Sequence, residues 1–423
     1  MEQRYLTTNN LELFYYPGEH LHSFCIGLYL KAGSMYETEE ENGLTHFLEH
    51  TAIRNINYLM DGGLYAYLDR LGLMFNACTY KEFVQFEITG ANKHFQEAVD
   101  VFMKLLEPIA LPAAEIDVER KRIKAEIRED DERGSLSYFT GNLVWKSTSL
   151  ARPITGMSSR LDRMGKTVLQ QYHKKLFASG NLFFYVTGGV KEQDLRYLAA
   201  AAEGYELEAA PGIRDNTAPV PEGFFHRNGL VAVKNSSDCS IRFSIDIDMT
   251  RHSQAAYMLL YDILFNCENS KIHQALSETS GYIYSFDPGL EQYSNIGSLY
   301  FQYDVRPSRL LDSARMVMDI FRKLKDGIRD ELDYVKAVYI DNGELIFDHA
   351  GNLNWTQAYE AHILAKTSAD LETRKAQYAA VAAEDITALA REIFTLDHLV
   401  VTVMGKKTKK LERELNEIVR GLE

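Results

Sequence analysis

The sequence predicts an α+β protein that contains two copies of one folding unit. Its 423 residues are more than a single hydrophobic core usually organises. A stretch rich in proline and glycine, residues 208–223, lies almost at the midpoint, and similar orders of strands and helices occur on both sides of it. We therefore expect a first domain at 1–207, a linker at 208–222 and a second domain at 223–423.

Each half begins with short runs typical of β-strands and continues into helical patterns. The strand runs are rich in β-branched and aromatic residues, and they lie at 11–16, 24–31, 230–234 and 241–247. The patterns that follow them are helical, at 43–55 and 254–267. Two later helical segments correspond in the same way: 96–106 and 115–126 in the first half, 313–323 and 331–342 in the second. This repeated order indicates a duplication.

The composition is that of an ordinary globular protein, and it limits the classes of function. Hydrophobic residues make up 46% of the chain and charged residues 25%. A formal net charge of −14 argues against nucleic acid as the main partner, because phosphate binding needs a basic surface. The longest apolar runs are too short to span a membrane, and the first residues lack the pattern of a secretory signal. We therefore expect a cytoplasmic protein without a membrane partner.

The cysteines support a reducing compartment. Four of them are scattered along the chain without a CxxC pair: Cys25, Cys78, Cys239 and Cys267. This usage is typical of small buried thiols rather than of a disulfide framework or a thiolate zinc site.

The strongest chemical signal is the segment 45–50, with the sequence THFLEH. On a helix, His46 and His50 are four residues apart and share a face, so both imidazoles can reach one zinc ion. Glu49 hangs beside the same position, where a carboxylate can act as a general base, and Asn42 is a candidate N-cap for the helix. This HxxEH order is that of the inverzincins. Taken alone, the motif also fits a solvated helix face. A third ligand is needed to distinguish a zinc site from that alternative.

A later charged helix, Ala113 to about Arg133, carries several glutamates, and its spacing alone does not single out a metal ligand among them. Glu119 and Glu126 are seven residues apart, so two helical turns place them on one face. An apolar stripe on a neighbouring face would pack this helix on a core. The other acidic residues of the helix are expected to be solvated charges: Glu115, Glu129, Asp130, Asp131 and Glu132.

The segment 32–50, AGSMYETEEENGLTHFLEH, resembles the zinc-site segment of the pitrilysin/insulinase family of metallopeptidases. It is most similar to mitochondrial processing peptidase and to the single-length bacterial relatives that form dimers. The third zinc ligand of that family falls on Glu126 here, and a further active-site glutamate falls on Glu119. Three more segments resemble family motifs in the same order: Phe75-Asn76-Ala77-Cys78-Thr79, Pro153-Ile154-Thr155-Gly156 and Val186-Thr187-Gly188-Gly189-Val190.

The resemblance implies a fold and a mechanism. It implies two homologous domains, each a mostly antiparallel sheet with helices packed on one side, as half of a clamshell chamber that encloses a peptide. It implies one Zn²⁺ per chain, held by His46, His50 and Glu126, with Glu49 as general base and Glu119 orienting a ligand or the water. The peptide would lie as an added strand beside 76–88, where Asn76 could hold its backbone. The second domain would lack the metal, with Val335 and Asn342 opposite Glu119 and Glu126.

One position departs from the family pattern. Active members carry an arginine and a tyrosine in the second domain that grip the substrate. Tyr284 matches the tyrosine, but Ser277 stands where the arginine is expected. We therefore expect a zinc-bearing subunit that pairs with a second family chain, in a heterodimer or a homodimer, and obtains the arginine from it. The alternative is a local substitute such as Arg306 or a lysine.

Two functions therefore remain open. The first is a zinc endopeptidase subunit that cleaves peptides or leader segments. The second is a non-catalytic scaffold or peptide-binding member of the same family, against which the complete set of candidate zinc-site residues argues. The pair His20 and His22 lacks an acidic partner at ligand spacing, so we do not expect a metal there.

Overall fold

A computed structural model describes residues 1–129, 134–209, 217–266, 268–328, 330–367 and 370–423. Parts of three predicted features lie outside these residues. They are the centre of the linker at 208–222, the end of the helix expected to reach residue 133, and Cys267.

The described residues form eleven β-strands and sixteen α-helices. The strands are β1 (Gln3–Leu6), β2 (Glu12–Pro17), β3 (Ser23–Leu30), β4 (Met74–Thr79), β5 (Val84–Ala91), β6 (Leu182–Gly188), β7 (Leu230–Asn235), β8 (Ser240–Asp248), β9 (Asp287–Gln292), β10 (Ile296–Asp304) and β11 (Leu399–Gly405). The helices are α1 (Leu44–Leu59), α2 (Leu64–Leu71), α3 (Phe95–Phe102), α4 (Ala113–Glu129), α5 (Leu136–Val144), α6 (Ser158–Leu161), α7 (Lys166–Leu176), α8 (Glu192–Glu203), α9 (Gln254–Phe265), α10 (Lys271–His273), α11 (Leu310–Asp326), α12 (Asp330–Leu345), α13 (Ala350–Gln357), α14 (Leu371–Ala380), α15 (Ala383–Ile393) and α16 (Lys409–Arg420).

The chain divides into two compact units, and each contains a segment from the other half of the sequence. Unit 1 comprises Met1–Asp131, Arg152–Asn216 and Gly343–Asp370. Unit 2 comprises Glu132–Ala151, Thr217–Asn342 and Leu371–Glu423. The boundaries of the homologous domains, 1–207 and 223–423, stay a prediction from the sequence.

The two units contain sheets of the same topology. The strand order is β1-β2-β6-β3-β5-β4 in unit 1 and β7-β11-β8-β10-β9 in unit 2. β2 and β6 pair in parallel, as do β7 and β11, and all other described pairs are antiparallel. Apart from β1, each strand of the first sheet has a counterpart at the same place in the second. This correspondence confirms the α+β class and the duplication.

One face of each sheet carries most of the helices. In β3, Phe24, Ile26 and Leu28 alternate with residues of the other face and join the main core of unit 1. Helix α1 packs against β4, α4 and α7 on this side. The helix with the HxxEH motif therefore lies between the edge of the sheet and the helix with the two glutamates.

We call Gly343–Asp370 in unit 1 and Glu132–Ala151 in unit 2 the exchanged segments, because each comes from the other half of the sequence. Each of them partly covers the other face of its sheet. In unit 1, α13 lies on β3 and β6, where the side-chain amide of Asn354 donates to the Tyr185 carbonyl (2.7 Å) and its oxygen accepts from the Tyr29 hydroxyl (2.7 Å). In unit 2, α5 lies on β8 and β11, and the hydroxyls of Thr140 and Thr402 are 2.5 Å apart. Each sheet is therefore covered on two faces, although only one face carries the large helical layer.

The helices are amphipathic. In α11, for example, Leu310, Val317 and Phe321 are buried in the core of unit 2, while charged residues occupy the opposite face. Within the described ranges, no helix has both the length and the apolar character needed to cross a bilayer.

Candidate active site

Helix α1 holds the three residues of the HxxEH motif in its first two turns. His46, Glu49 and His50 lie on one side of the helix because residues three and four apart share a face. Phe47 and Leu48 turn into the core of unit 1 and fix the orientation of the helix. His46 and Glu49 are each only 7% exposed, so the motif is not a solvated helix face.

The start of α1 differs from the prediction. Asn42 does not cap the helix: Gly43 occupies the N-cap position with a φ of 96°, and the Asn42 amide instead donates to the Pro153 carbonyl (2.9 Å). The carboxylate of Glu37 accepts the Thr45 N–H (2.7 Å) in its place. The prediction was wrong because the left-handed glycine turns the chain and directs Asn42 away from the first turn.

Helix α4 brings Glu126 opposite the two histidines. Glu126 Oε1 lies 3.5 Å from His46 Nε2, and Glu126 Oε2 lies 3.5 Å from His50 Nε2. One ligand atom from each of the three residues lies within 4.8 Å of the others. Ligand atoms of a tetrahedral zinc ion are about 3.4 Å apart when each bond is about 2.1 Å long. The spacing and the donor set of two imidazoles and a carboxylate therefore fit zinc.

The protonation of the two histidines suits the binding of a cation. Burial, with a smaller contribution from His50, lowers the pKa of His46 to about 3, so this imidazole is neutral and offers a lone pair at neutral pH. Burial also lowers the pKa of His50, but the carboxylates of Glu119, Glu49 and Glu126 raise it by more. The negative charge that favours a proton on His50 also favours a metal ion. His46 Nδ1 is buried and has no hydrogen-bond partner among the described residues.

Glu119 orients His50 and is itself held by an arginine. Its Oε2 lies 3.3 Å from His50 Nδ1, which assigns the ring proton to Nδ1 and leaves Nε2 facing Glu126. Its Oε1 accepts from Arg54 (2.6 Å), which also binds Glu115 (2.7 Å). Burial raises the pKa of Glu119, but His50 and Arg54 lower it by more, so Glu119 is ionised.

Arg54 was not predicted from the sequence. It lies four residues after His50, so the spacing that joins His46 and His50 already pointed to it. Glu115, expected to be solvated, is paired with this arginine and is partly buried.

Glu49 is held by a second residue that the sequence analysis did not assign. The Thr79 hydroxyl donates to Glu49 Oε2 (2.8 Å) from the end of β4. Burial raises the pKa of Glu49, and this effect exceeds the opposing effects of His50 and Thr79. A carboxylate with a raised pKa is a stronger base. Thr79 had appeared only as the last residue of a family motif.

Strand β4 is the free edge of the sheet in unit 1, whereas β5 lies between β3 and β4. The predicted segment 76–88 is thus a hairpin, of which only the first strand can accept another strand. Tyr80 N–H donates to the Phe83 carbonyl (2.8 Å), and hydrogen-bonded pairs alternate along an antiparallel ladder. The backbone groups that point out of the edge therefore belong to Phe75, Ala77 and Thr79.

Asn76 does not direct its backbone outward. It is an exposed residue of β4, and its side-chain amide lies 3.4 Å from Glu87 on the neighbouring strand. It lies on the same strand as Thr79, three residues from the contact with Glu49.

Tyr284 lies in unit 2 and is 97% exposed. It lines a groove of about 510 Å³, formed by Leu136, Ser240, Tyr284, Ser285, Phe286, Asp287, Gln302, Tyr303 and Asp304. Among the described residues, this groove has two aspartates and no lysine or arginine in its lining. Ser277 lies in a π-helical turn, Gln274–Thr279, and Arg306 is exposed outside the groove. The described lining therefore contains no cation, although Arg242 lies behind it and donates to Gln302 (3.2 Å).

Two family models match consecutive parts of the chain. The model described as "Insulinase (Peptidase family M16)" matches residues 19–167. The model described as "Peptidase M16 inactive domain" matches residues 163–339. Together they span 19–339, well over half of the chain.

Individual relatives agree with these matches. The "Uncharacterized zinc protease YmxG" of Bacillus subtilis is 22% identical over 95% of this chain and 98% of its own length. The mitochondrial "Cytochrome b-c1 complex subunit 1" of Mus musculus is 26% identical over 45% of this chain, a match that spans only 42% of that relative. The crystal structure of a protease from Helicobacter pylori superimposes with a TM-score of 0.83 at 16% identity, covering 96% of this chain and 99% of that one, which supports the fold.

The matches confirm the family predicted from the sequence, while pairing with a second subunit stays a prediction. The chain belongs to the insulinase family of peptidases, M16.

Proposed function

We propose that this chain is a zinc-dependent endopeptidase subunit. His46, His50 and Glu126 would hold one zinc ion, Glu49 would be the general base, and Glu119 would orient His50. The observation that carries the proposal is the convergence of three ligand atoms within 4.8 Å beside a buried carboxylate that is held by Thr79.

Zinc bound at these residues would supply Lewis-acid chemistry that polarises a peptide carbonyl and makes a water molecule more acidic. Glu49 would accept the proton of the attacking water and pass it to the leaving amine. The Thr79 hydroxyl would keep the Glu49 carboxylate in one orientation during this transfer. Arg54 and Glu119 would hold the His50 ring through its Nδ1 proton, which leaves Nε2 available as a ligand.

The peptide would bind as an additional strand on β4. The outward backbone groups of Phe75, Ala77 and Thr79 can pair with any sequence, which suits an enzyme that cleaves varied peptides or leader segments. Asn76 would contact the peptide from the same strand. Tyr284 would be a substrate-binding residue, as the family resemblance implies.

The test is a comparison of zinc content and peptide cleavage in the wild type and in Glu49→Gln. We expect one zinc ion per chain in both proteins, and cleavage only in the wild type, because a neutral amide cannot accept the proton. Glu40→Gln removes an exposed carboxylate from the loop before α1 and serves as the matched control. Wild-type protein that binds no zinc after reconstitution would contradict the proposal.

The second part of the proposal is a partner subunit of the same family. Ser277 replaces the family arginine, and the described lining of the Tyr284 groove carries no cation. The purified chain should therefore bind zinc but cleave slowly until the partner is added. Co-purification would identify the partner, and efficient cleavage by the isolated chain that is unaffected by Tyr284→Phe would contradict this part.

A non-catalytic scaffold is the second candidate function. The match of residues 163–339 to a model described as inactive, and relatives named as cytochrome b-c1 complex subunits, favour it. The same experiment separates the candidates, because a scaffold would show no cleavage that depends on Glu49, with or without a partner.

A further inference from the structure

The N-terminal turn of α1 is held by a buried carboxylate from outside the helix. Glu37 is 4% exposed. Its Oε1 accepts the Thr45 N–H (2.7 Å), and its Oε2 accepts the Gly43 N–H (2.9 Å) and the Asn42 side-chain amide (3.3 Å). The first turns of a helix have N–H groups without intrahelical partners, and a negative charge at this end is favourable.

No residue of α1 could supply this cap. Gly43 has no side chain, and the first turn contains no acidic residue. Gly43 has a φ of 96°, and a Cβ at this position would lie 2.8 Å from Gly156 Cα. A larger residue with a capping side chain is therefore excluded, and the cap has to come from elsewhere in the chain.

A second segment fixes Glu37 and the turn that follows it. The Arg152 guanidinium donates to the Glu37 carbonyl, and the Asn42 amide donates to the Pro153 carbonyl (2.9 Å). The backbone of Gly156 packs directly on Gly43. The turn at 37–43 is thus enclosed by 152–156 on one side and by α1 on the other.

The capped N–H of Thr45 immediately precedes His46. We propose that Glu37 is a positioning residue for the metal site, which fixes the first turn of α1 so that His46 Nε2 meets Glu126 and His50. Glu37 is not a ligand and acts only through the backbone of the helix. The inference rests on the proposed function, since it assigns Glu37 to the geometry of the zinc ligands.

The test measures metal binding rather than activity. Wild type, Glu37→Gln and the exposed control Glu40→Gln are titrated with Zn²⁺ against a chelator, and their Co²⁺ forms are compared by visible absorption. We expect the zinc affinity of Glu37→Gln to fall about fivefold, the size of effect that loss of a helix N-cap has, with a changed Co²⁺ spectrum. Glu40→Gln should match the wild type.

The outcomes separate the two proposals. Unchanged affinity and spectrum in a folded Glu37→Gln would overturn the role of Glu37 and leave the zinc site intact. Wild-type protein that binds no zinc would overturn both. If Glu37→Gln does not fold, as judged by circular dichroism, Glu37→Asp is measured in the same way. Its shorter carboxylate keeps the charge but cannot reach both N–H groups, so an affinity equal to that of the wild type would again overturn the role of Glu37.

Discussion

The two units share a topology but differ in the chemistry that each sheet and its helices can perform. In unit 1, α1 and α4 contribute two histidines and three carboxylates to one site. In unit 2, α12 carries Val335 and Asn342 at the aligned positions of Glu119 and Glu126, and Val335 is buried in the core. A carboxylate in such surroundings would be costly without a partner like Arg54. Where the metal ligands are absent, a buried apolar residue such as Val335 destabilises the fold less than a buried carboxylate would.

The edges of the two sheets differ in a similar way. Tyr293 N–H donates to the Ile296 carbonyl (2.9 Å), so the outward residues of β9 are Pro288, Leu290 and Gln292. Proline has no N–H, and it is common at the outer side of edge strands because it prevents the addition of another strand. All three outward residues of β4 have an N–H. The same topological edge is therefore open in unit 1 and partly closed in unit 2.

The largest difference between the units should lie in metal binding. We expect Glu126→Gln to weaken zinc binding by more than the roughly 100-fold that loss of a supporting residue can cause, because it removes a ligand. Asn342→Gln is the matched change at the aligned position in unit 2 and should leave affinity unchanged. Isothermal titration of both variants with Zn²⁺ would measure the two affinities. Equal affinities would contradict the assignment of the metal to unit 1.

The second difference concerns strand addition. Ala77→Pro removes one outward N–H of β4 without breaking the ladder to β5, and we expect kcat/KM for peptides to fall by about tenfold, the equivalent of one hydrogen bond. Pro288→Ala restores an outward N–H on β9 and should not change cleavage. Steady-state kinetics with the assembled enzyme would measure both, and a larger effect of Pro288→Ala than of Ala77→Pro would assign the peptide to the other sheet.

The predictions from the sequence succeeded where the signal was local. Helical periodicity predicts that the two histidines share one face of α1 and that the two glutamates share one face of α4. That these two helices meet was implied by the family resemblance and not by the spacing. Glu37 and Thr79 reach α1 from a loop and from a strand, and single-sequence periodicity gives no information about such contacts. The position of Arg54 could have been predicted, since it continues the four-residue spacing of the histidines.

The exchanged segments were missed for a different reason. In β2, Leu13 and Tyr15 face the main core while Phe14 and Tyr16 face the other side of the sheet. A continuous apolar run of this kind is typical of a strand that is buried on both faces. The run therefore indicated that some element covers the second face of the sheet. It could not indicate that this element is the segment 343–370, because that depends on tertiary contacts with a distant part of the chain.

The smallest difference between the units should appear in their response to acid. His173 at the end of α7 is buried, stacks on Phe177 and contacts the Leu105 carbonyl through Nε2 (3.0 Å). In each unit a phenylalanine follows the helix, and its N–H donates to the carbonyl four residues earlier. Phe177 donates to the His173 carbonyl at the end of α7, and Phe394 donates to the Ala390 carbonyl at the end of α15. The titratable side chain at this position is thus present only in unit 1.

Burial lowers the pKa of His173 to about 4, although the contact with Leu105 opposes this shift. The unfolded chain therefore takes up a proton near the ordinary value of about 6.5, before the folded chain does. The neutral His173 therefore makes its full contribution to the stability of the folded chain above a pH of about 6.5, and this contribution is lost as the pH falls toward 4. Between pH 7.5 and 5 this histidine should lower the free energy of unfolding by about 2 kcal/mol.

Denaturant unfolding of wild type and His173→Gln at both pH values would isolate this contribution. Glutamine keeps a donor for the Leu105 carbonyl but does not titrate, so the variant should lose about 2 kcal/mol less than the wild type on acidification. The difference between the two proteins cancels the contributions of all other groups, including the histidines of the metal site. Equal losses would mean that His173 titrates alike in the folded and unfolded chains, and the acid response would then no longer distinguish unit 1 from unit 2.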